Sequence, residues 1–280
     1  MFRKYGIAGI ILILIAQVNF IFKIEPLASW YFPVIWFGYI FTLDAINYKL
    51  HRKSLITNNF KKFIFLIILS AAIWWTFEFF NVAVKNWSYF HATGYSEPLW
   101  LRRYIFRTLA FGSVLPAIFI TFEFFKGIHF LDKFKLNKKH RINKWFLNIM
   151  VILGILCILL PLLLPKFTFP LIWLSFFFFL DPINYLHKRP SIISHLKDKR
   201  LKIPIALILA GLICGFFWEF WNYWAAVKWS YNIPYVGFFK IFEMPILGYL
   251  GYIPFALELY AMYYFIGTLR KEEKKFIFKL

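Results

Sequence analysis

The chain has 280 residues, of which 61% are hydrophobic and 24% aromatic, and it carries a formal net charge of +20. Such a high apolar and aromatic content lies outside the range of soluble globular proteins, so the composition excludes that class. In a soluble protein the positive charge would suggest nucleic acid as a partner. Its distribution along the chain supports a different explanation, given below.

Eight apolar stretches follow one another along the sequence. Each is close to the roughly 20 residues that a helix needs to cross a hydrocarbon core about 30 Å thick. The sequence therefore predicts an all-α, polytopic integral membrane protein with eight transmembrane helices. These predicted spans are 5–22, 31–48, 63–80, 104–125, 145–164, 167–185, 203–224 and 245–269.

Basic residues alternate between the two sides of these predicted helices. Of the 33 Lys and Arg residues, 25 lie in the two tails and in the connections 49–62, 126–144 and 188–202. By the positive-inside rule this distribution places both termini in the cytoplasm of a multi-pass protein, and we expect a bacterial-type inner (plasma) membrane. The charge is then explained by orientation and by contact with anionic membrane lipids, and it requires no nucleic acid.

The sequence contains an internal repeat. Residues 33–54 and 170–191 align without a gap at a constant offset, and further matches continue through the next predicted helix and the loop after it. With four predicted helices in each repeat, residues 1–143 and 144–280 form two four-helix domains that lie parallel in the membrane. The matched pairs are Trp36 with Trp173, Asp44 with Asp181, Asn47 with Asn184, Tyr48 with Tyr185, Glu78 with Glu219, Asn81 with Asn222, and 87–89 with 229–231.

Six carboxylates fall at membrane depth, three in each half. An unpaired charge there costs several kcal/mol, so we expect each to be neutral, hydrogen-bonded or facing a polar cavity. Four of them have an asparagine three residues later on the same helix face, where an amide can donate to the carboxyl. The alternative is structural: an Asp or Asn at a helix end can cap or join helices. The six are Asp44, Glu78, Glu123, Asp181, Glu219 and Glu258, and the asparagines are Asn47, Asn81, Asn184 and Asn222.

Metals and cofactors have no signature in the sequence. The two cysteines lie inside predicted helices, where a thiol usually behaves as a small hydrophobic group. No predicted helix carries histidines at metal-ligand spacing. We therefore expect no metal and no cofactor.

The order of motifs in the second half is distinctive. It reads FPLIWLSFFFFLD, then a basic stretch, then FFWEFWNYWAAVKWSYNIPYVGFFKIFEMP and IPFALE. This order resembles the repeat of the lycopene cyclases of the heterodimeric bacterial and bifunctional fungal type. In that repeat, a helix ending in Asp is followed by a basic link, a helix ending in Trp-Asp, a loop similar to W-S-F-N-P, and a helix opened by P-x-E-E.

The resemblance assigns positions in this chain residue by residue. Asp181 matches the first Asp, Glu219 the Asp after Trp, 229–232 the aromatic loop, and Pro245 the Pro of P-x-E-E. The first half keeps the same order more weakly, with its last match at Pro98.

The chain departs from the family at the acidic pair. Leu247 and Gly248 stand where P-x-E-E carries the two glutamates to which the resemblance assigns acid catalysis. Cyclisation of a polyene end group needs a proton donor and a dry cavity whose aromatic walls stabilise a cation. Glu243, just before Pro245, is the candidate substitute.

The resemblance implies a lycopene-cyclase-like membrane protein that binds, and by acid chemistry processes, an apolar isoprenoid, carotenoid or other lipid. Whether it is an enzyme is left open, as is its oligomeric state. The alternative is a proton-coupled secondary transporter or channel with carboxylates at the repeat interface, and a scaffold is a third reading. The catalytic candidates are Glu219, Glu78 and Glu243; the candidates for ligand binding are Asn81, Asn222, Trp87, Trp229, Tyr231, Asp44, Asp181, Asn47, Asn184, Glu123 and Glu258.

Overall fold

A computed structural model describes residues 2–91, 100–137 and 141–269, with side chains in 2–90, 104–137 and 141–267. The chain is predominantly helical, at 77%. In chain order the α-helices of these ranges are α1 (Lys4–Phe22), α2 (Leu27–His51), α3 (Leu55–Asn58), α4 (Phe60–Val84), α5 (Trp100–Gly112), α6 (Val114–Lys126), α7 (Lys144–Leu163), α8 (Pro165–Thr168), α9 (Ile172–Leu186), α10 (Ile192–Lys197), α11 (Lys202–Trp224) and α12 (Tyr252–Leu269).

Among the described residues, six helical segments are long and apolar enough to cross a membrane. The prediction of a helical membrane protein is confirmed at this level. Of the remaining two predicted spans, 31–48 lies within the 25-residue α2, and 245–269 contains the 18-residue α12. The prediction of one helix over 245–269 is wrong at its start, because Met244–Pro245 is a short strand and Ile246–Gly251 a 3₁₀ turn. The six segments are Lys4–Phe22, Phe60–Val84, Tyr104–Lys126, Lys144–Leu163, Pro165–Leu186 and Lys202–Trp224.

Short strands were not expected from the sequence. β1 (Trp87–His91) and β2 (Val227–Tyr231) form an antiparallel ribbon, and β3 (Lys240–Ile241) pairs with β4 (Met244–Pro245). Three 3₁₀ turns cover His129–Lys133, Phe169–Leu171 and Ile246–Gly251.

The chain divides into two compact units. Unit 1 comprises Met1–Phe124 and Cys214–Ile246, and unit 2 comprises Phe125–Ile213 and Leu247–Leu280. Each unit therefore combines segments from both sequence repeats. The domain boundary at residue 143, which was drawn from the repeat, stays a prediction.

In unit 1, α1 packs along α2 at close range because both helices present glycine at the crossing. A Cβ on Gly9 would lie 2.7 Å from the carbonyl oxygen of Gly38, and one on Gly38 would lie 2.9 Å from that of Gly9. Small residues allow this approach of two helix backbones. The first helix of the chain is thereby fixed to the helix that carries Asp44.

In unit 2, α9 packs between α7 and α12. A Cβ added to Gly154 of α7 would lie 2.4 Å from the backbone nitrogen of Phe179, so this contact also requires glycine. Leu147, Met150 and Ile193 form a buried apolar cluster in this unit.

Candidate functional site

Glu219, near the end of α11, is the last acceptor in a series of two hydrogen bonds that begins at Trp229. Its side chain is fully buried. The Tyr231 hydroxyl donates to Glu219 Oε1 at 2.7 Å, and the Trp229 indole donates to the Tyr231 oxygen at 2.8 Å. Helix α11 supplies the acid and β2 supplies both donors, so the turn between these elements builds the arrangement. The sequence analysis identified all three residues but not the direction of their bonds.

Glu78 occupies the matching position at the end of α4, with a different set of donors. Its Oε1 accepts from the Trp74 indole at 3.1 Å, the Trp87 indole at 3.0 Å and the Tyr89 hydroxyl at 2.5 Å. Glu78 is half-buried, whereas Glu219 is fully buried. Three donors converge on one oxygen, and the Arg107 guanidinium lies 4.3 Å from the Tyr89 ring centre.

Tyr89 was not among the predicted site residues, although it is the repeat counterpart of Tyr231. The offset that matched 87–89 to 229–231 was sufficient to identify it. Burial, followed by the neighbouring Glu78 carboxylate, raises the pKa of the Tyr89 hydroxyl well above its usual value. Tyr89 is therefore a hydrogen-bond donor at physiological pH.

The asparagines of these two helices bind the strands and not the carboxyls. Asn81 Nδ2 donates to the Trp87 carbonyl at 2.9 Å, and Asn222 Nδ2 donates to the Trp229 carbonyl at 2.8 Å. The Asn222 Oδ1 also accepts from the Trp229 nitrogen at 2.9 Å. We expected each amide to donate to the glutamate three residues earlier. This expectation is wrong, because both amides donate to a strand carbonyl. The reason is that a strand leaving a helix presents backbone groups that need partners.

The ribbon pairs equivalent segments of the two repeats, with one equivalent pair of residues, the serines, directly opposite each other. In its register Ser88 lies opposite Ser230, Trp87 opposite Tyr231, and Tyr89 opposite 229. Each strand brings one aromatic donor set to the glutamate of its own half.

Aromatic rings surround the Glu219 side of the ribbon. The Phe32 ring lies edge-on to Trp229 at 5.2 Å between centroids, and Trp36 lies 5.1 Å from Trp218 and 4.8 Å from Trp221. Helix α2 therefore provides an aromatic wall that faces α11 within unit 1. Such contacts are the geometry in which aromatic pairs attract each other.

Glu243, the candidate substitute for the missing acidic pair, forms an ion pair. Its Oε1 lies 2.7 Å from Lys228 Nζ. The Glu243 carboxylate is therefore held by the lysine of the strand β2. Pro245 lies in β4, and Pro98, its counterpart in the first half, lies outside the described residues.

Asp181 is fully buried and caps the short helix of the following loop. It accepts from the backbone nitrogens of Ile192 and Ile193, at 2.8 and 2.9 Å. These are the first two nitrogens of α10, which have no partner within their own helix. Ser191 adds a capping box at the same end.

Asp44, equally buried, does the same for α3. It accepts from the Leu55 nitrogen at 2.8 Å, from the Tyr5 hydroxyl at 2.8 Å and from the Ser54 hydroxyl. The capping alternative for the aspartate pair therefore describes the bonds that both residues make. Neither Tyr5 nor Ser54 was singled out by the sequence, because both are distant from Asp44 along the chain.

Asn47 and Asn184 bind neighbouring helices in equivalent ways. Asn47 Nδ2 donates to the Ile120 carbonyl at 2.9 Å, and Asn184 Nδ2 donates to the Ala261 carbonyl at 2.8 Å. Both are buried. Each joins the second helix of its repeat to the last.

Glu123 and Glu258, the remaining acids, differ from each other. Lys53 Nζ lies 3.6 Å from Glu123 Oε1. Glu258, fully buried in unit 2, accepts on Oε1 from the Phe176 nitrogen at 2.8 Å and the Ser175 hydroxyl at 3.1 Å. Its Oε2 has no hydrogen-bond partner among the residues described.

The described ranges contain no group of three or more His, Cys, Asp or Glu residues that is arranged to hold a metal ion. Comparison of the chain with known proteins gave no matching family model, no similar curated protein and no similar solved structure.

Proposed function

We propose that the chain is a lycopene-cyclase-like protein of a bacterial-type inner membrane, which binds an apolar isoprenoid, carotenoid or other lipid and processes it by acid chemistry at Glu219. The observation that carries this proposal is the fully buried carboxyl of Glu219 at the end of the chain Trp229–Tyr231–Glu219. A carboxyl that is fully buried and accepts from a fixed tyrosine hydroxyl is suited to hold and release a proton.

The chemistry is an isomerisation and needs no oxidant. The Glu219 proton adds to a terminal double bond of the polyene, and the resulting carbocation is attacked by a neighbouring double bond, which forms the ring carbon–carbon bond. A proton then leaves the adjacent carbon and returns to the carboxylate. Tyr231 donates to Oε1 throughout and so stabilises the carboxylate between the two proton transfers. In this proposal the aromatic rings nearest to this hydrogen-bonded group, Trp229 and Phe32, stabilise the cation.

Eight spans with both termini in the cytoplasm, and two parallel halves, belong to the same proposal. Supporting it, β1 and β2 pair antiparallel with Ser88 opposite its counterpart Ser230. A two-fold axis through the ribbon produces this register, and an axis along the membrane normal relates parallel repeats. Asn47 and Asn184 make equivalent bonds, each to the last helix of its own repeat.

The test is to produce the chain in a bacterial host that accumulates lycopene and to separate the pigments by chromatography. We expect cyclised product from the unaltered chain and a loss of about 100-fold or more in Glu219→Gln, because general acid catalysis contributes roughly 10²–10⁴. Glu78→Gln is the matched control at the equivalent site. It keeps the product while lowering stability, since it disturbs three hydrogen bonds.

Two results would contradict the proposal: no cyclised product and no apolar compound retained by the purified protein, or equal product from Glu219→Gln and the unaltered chain. Mass spectrometry of the protein purified in mild detergent detects retention without turnover.

A proton-coupled transporter is the second candidate, and Glu258 favours it. This carboxyl is fully buried among helices, and one of its oxygens has no hydrogen-bond partner in the described part of the chain. Intramembrane carboxyls of this kind are typical of proton relays. In liposomes with an imposed pH gradient, this candidate predicts proton flux that Glu258→Gln abolishes, with no retained lipid.

A further inference from the structure

We propose that the start of α1 and the end of α2 form a binding site for the phosphate group of one anionic phospholipid. Arg3 and Arg52 bind the phosphate, and Tyr48 positions both guanidinium groups. The site lies at an end of two membrane-length helices, which is the depth of the lipid headgroups. It is independent of the acid chemistry at Glu219, and it is a defined site within the general contact of basic loops with lipid.

Two guanidinium groups share the ring of Tyr48. Arg3 Nη2 donates to the Tyr48 hydroxyl at 2.6 Å, and Arg3 Cζ lies 4.1 Å from the ring centre. Arg52 Cζ lies 5.5 Å from the same ring centre. A cation–π contact holds each group in place without neutralising its charge. Two positive charges gathered at one residue favour an anion that both can bind.

The two arginines have no counter-charge in the described part of the chain. The ion pairs there join other residues, such as Glu123 with Lys53. Arg3 Nε is buried and has no hydrogen-bond partner within the same ranges. A buried N–H of a charged group requires an acceptor. A phosphate oxygen is suitable, because the planar fork of a guanidinium matches the geometry of a phosphate group.

The start of α1 adds to the positive potential at this end. Arg3 is the N-cap of α1, where no side chain accepts from the first-turn nitrogens and no acidic residue is present. These nitrogens have no partner within the helix, and the aligned peptide dipoles place partial positive charge there. The arginine pair and the helix start therefore both favour an anion at the same end.

An exposed apolar surface leads away from this end along α1. Ile7, Ile11 and Leu14 are 50–58% exposed, and their spacing of four and three residues places them on one helix face. This face begins about one turn from Arg3. A phospholipid bound through its phosphate can place an acyl chain along the face. A free phosphate ion gains nothing from it, and we therefore assign the site to a lipid.

The second repeat provides a natural comparison. Tyr185, the counterpart of Tyr48, contacts a lysine: Lys197 Nζ donates to its hydroxyl at 3.0 Å and lies 5.4 Å from its ring centre. An ammonium group is a point charge and lacks the fork that binds two phosphate oxygens in parallel. We therefore expect the first repeat to bind the lipid more tightly than the second.

A lipid titration of the full-length protein tests this site. The protein is kept in mild detergent at about 0.15 M salt, and bound lipid is counted by native mass spectrometry. The probes are phosphatidylglycerol and phosphatidylcholine with the same palmitoyl and oleoyl chains, of which the second has no net charge. We expect phosphatidylglycerol to bind about tenfold more tightly than phosphatidylcholine.

Arg3→Gln combined with Arg52→Gln should weaken phosphatidylglycerol binding about tenfold or more and leave phosphatidylcholine binding unchanged. The matched control is Lys4→Gln combined with Lys49→Gln, which removes the same net charge from exposed neighbouring positions. Salt screens exposed charges, so this control should weaken binding less than about threefold. Lys197→Gln in the second repeat should have a similarly small effect.

Arg52→Gln alone covers the case in which the double variant does not fold, because Arg52 is exposed. Its affinity for phosphatidylglycerol should fall about fivefold, and an unchanged affinity would overturn the inference. Equal losses in the arginine and lysine pairs would also overturn it, since binding would then depend on net charge alone. Displacement of phosphatidylglycerol by an equal concentration of inorganic phosphate would identify a free-anion site and contradict the assignment to a lipid.

Discussion

Replacing each repeat aspartate by asparagine should destabilise the two halves unequally. Asp181→Asn keeps one oxygen for the Ile192 nitrogen but places an amide NH₂ against the Ile193 nitrogen, which is also a donor. A backbone N–H cannot reverse its polarity. The variant therefore loses a charge-assisted bond and leaves a buried N–H unpaired, at a cost of about 2–4 kcal/mol.

Asp44→Asn makes the same chemical change in the other repeat. Here the oxygen that becomes NH₂ is Oδ2, which accepts from the hydroxyls of Tyr5 and Ser54, and the Ile56 backbone nitrogen adds a weaker contact to the carboxyl. A hydroxyl can rotate and accept, so both contacts survive with reversed direction. The other oxygen still accepts from the Leu55 nitrogen. We expect a cost under about 1 kcal/mol.

The comparison is made by thermal unfolding of the two purified variants in the same detergent. A difference of about 2 kcal/mol corresponds to roughly 4–8 °C in the unfolding midpoint. Both variants replace one buried carboxyl by an amide. The free energy gained by removing that carboxyl is therefore common to both and does not contribute to the difference between them. A midpoint for Asp44→Asn equal to or below that of Asp181→Asn would refute the reasoning about donor type.

Further expected outcomes concern pH, packing and topology. Burial lowers the pKa of His195 to about 4 from 6.5, so the unfolded chain binds the proton first. The free energy of unfolding should fall as pH decreases from 6.5 towards 4, by about 2 kcal/mol at pH 5, and this loss should be absent in His195→Gln. Gly154→Ala should lower the unfolding midpoint sharply, because its Cβ meets backbone at 2.4 Å, whereas Gly267→Ala, with no atom within 4 Å, should not. The predicted orientation places 238 outside and 137 in the cytoplasm, so a membrane-impermeant maleimide added to cells should label Phe238→Cys and not Asn137→Cys. Both native cysteines are buried and should add little background. The reverse labelling pattern would show that the predicted orientation is inverted.

The membrane class and several equivalent contacts could be predicted from the sequence because they depend on composition and on the repeat offset. Asn47 and Asn184, matched by that offset, make equivalent bonds to the last helix of their repeats. The capping of α3 and α10 by the aspartates was one of two readings of a polar group near a helix end.

The bonds around the glutamates could not be predicted, since they depend on a ribbon between strands about 140 residues apart in sequence. Spacing alone placed Asn81 beside Glu78 on one helix face. In the structure the amide donates to a backbone carbonyl of β1 and not to the glutamate. Helical periodicity gives no information about an acceptor that lies outside the helix.

Glu123 and Glu258 show the opposite case, in which the repeat offset in the sequence already indicates that the two residues are not equivalent. Both were grouped as the third acid of each half, yet their separation of 135 residues differs from the 141 that relates Glu78 to Glu219. Their partners differ accordingly: a lysine ammonium for Glu123, and a serine hydroxyl with a backbone nitrogen for Glu258. Position within the repeat was a stronger guide than residue type.

The two halves are alike at their aspartates and differ at their glutamates, and this contrast concerns which half carries out the proposed proton transfer. Asp44 and Asp181 each cap the short helix that follows in the same half, α3 and α10. The glutamate layer differs: the Trp87 indole donates to Glu78 directly, whereas the Trp229 indole reaches Glu219 only through Tyr231. Glu78 is half-buried and accepts from two indoles and a tyrosine hydroxyl, whereas Glu219 is fully buried and accepts from Tyr231. The proposed function therefore assigns the proton chemistry to the second half, and the two glutamate variants test that assignment because they make the same chemical change in different surroundings.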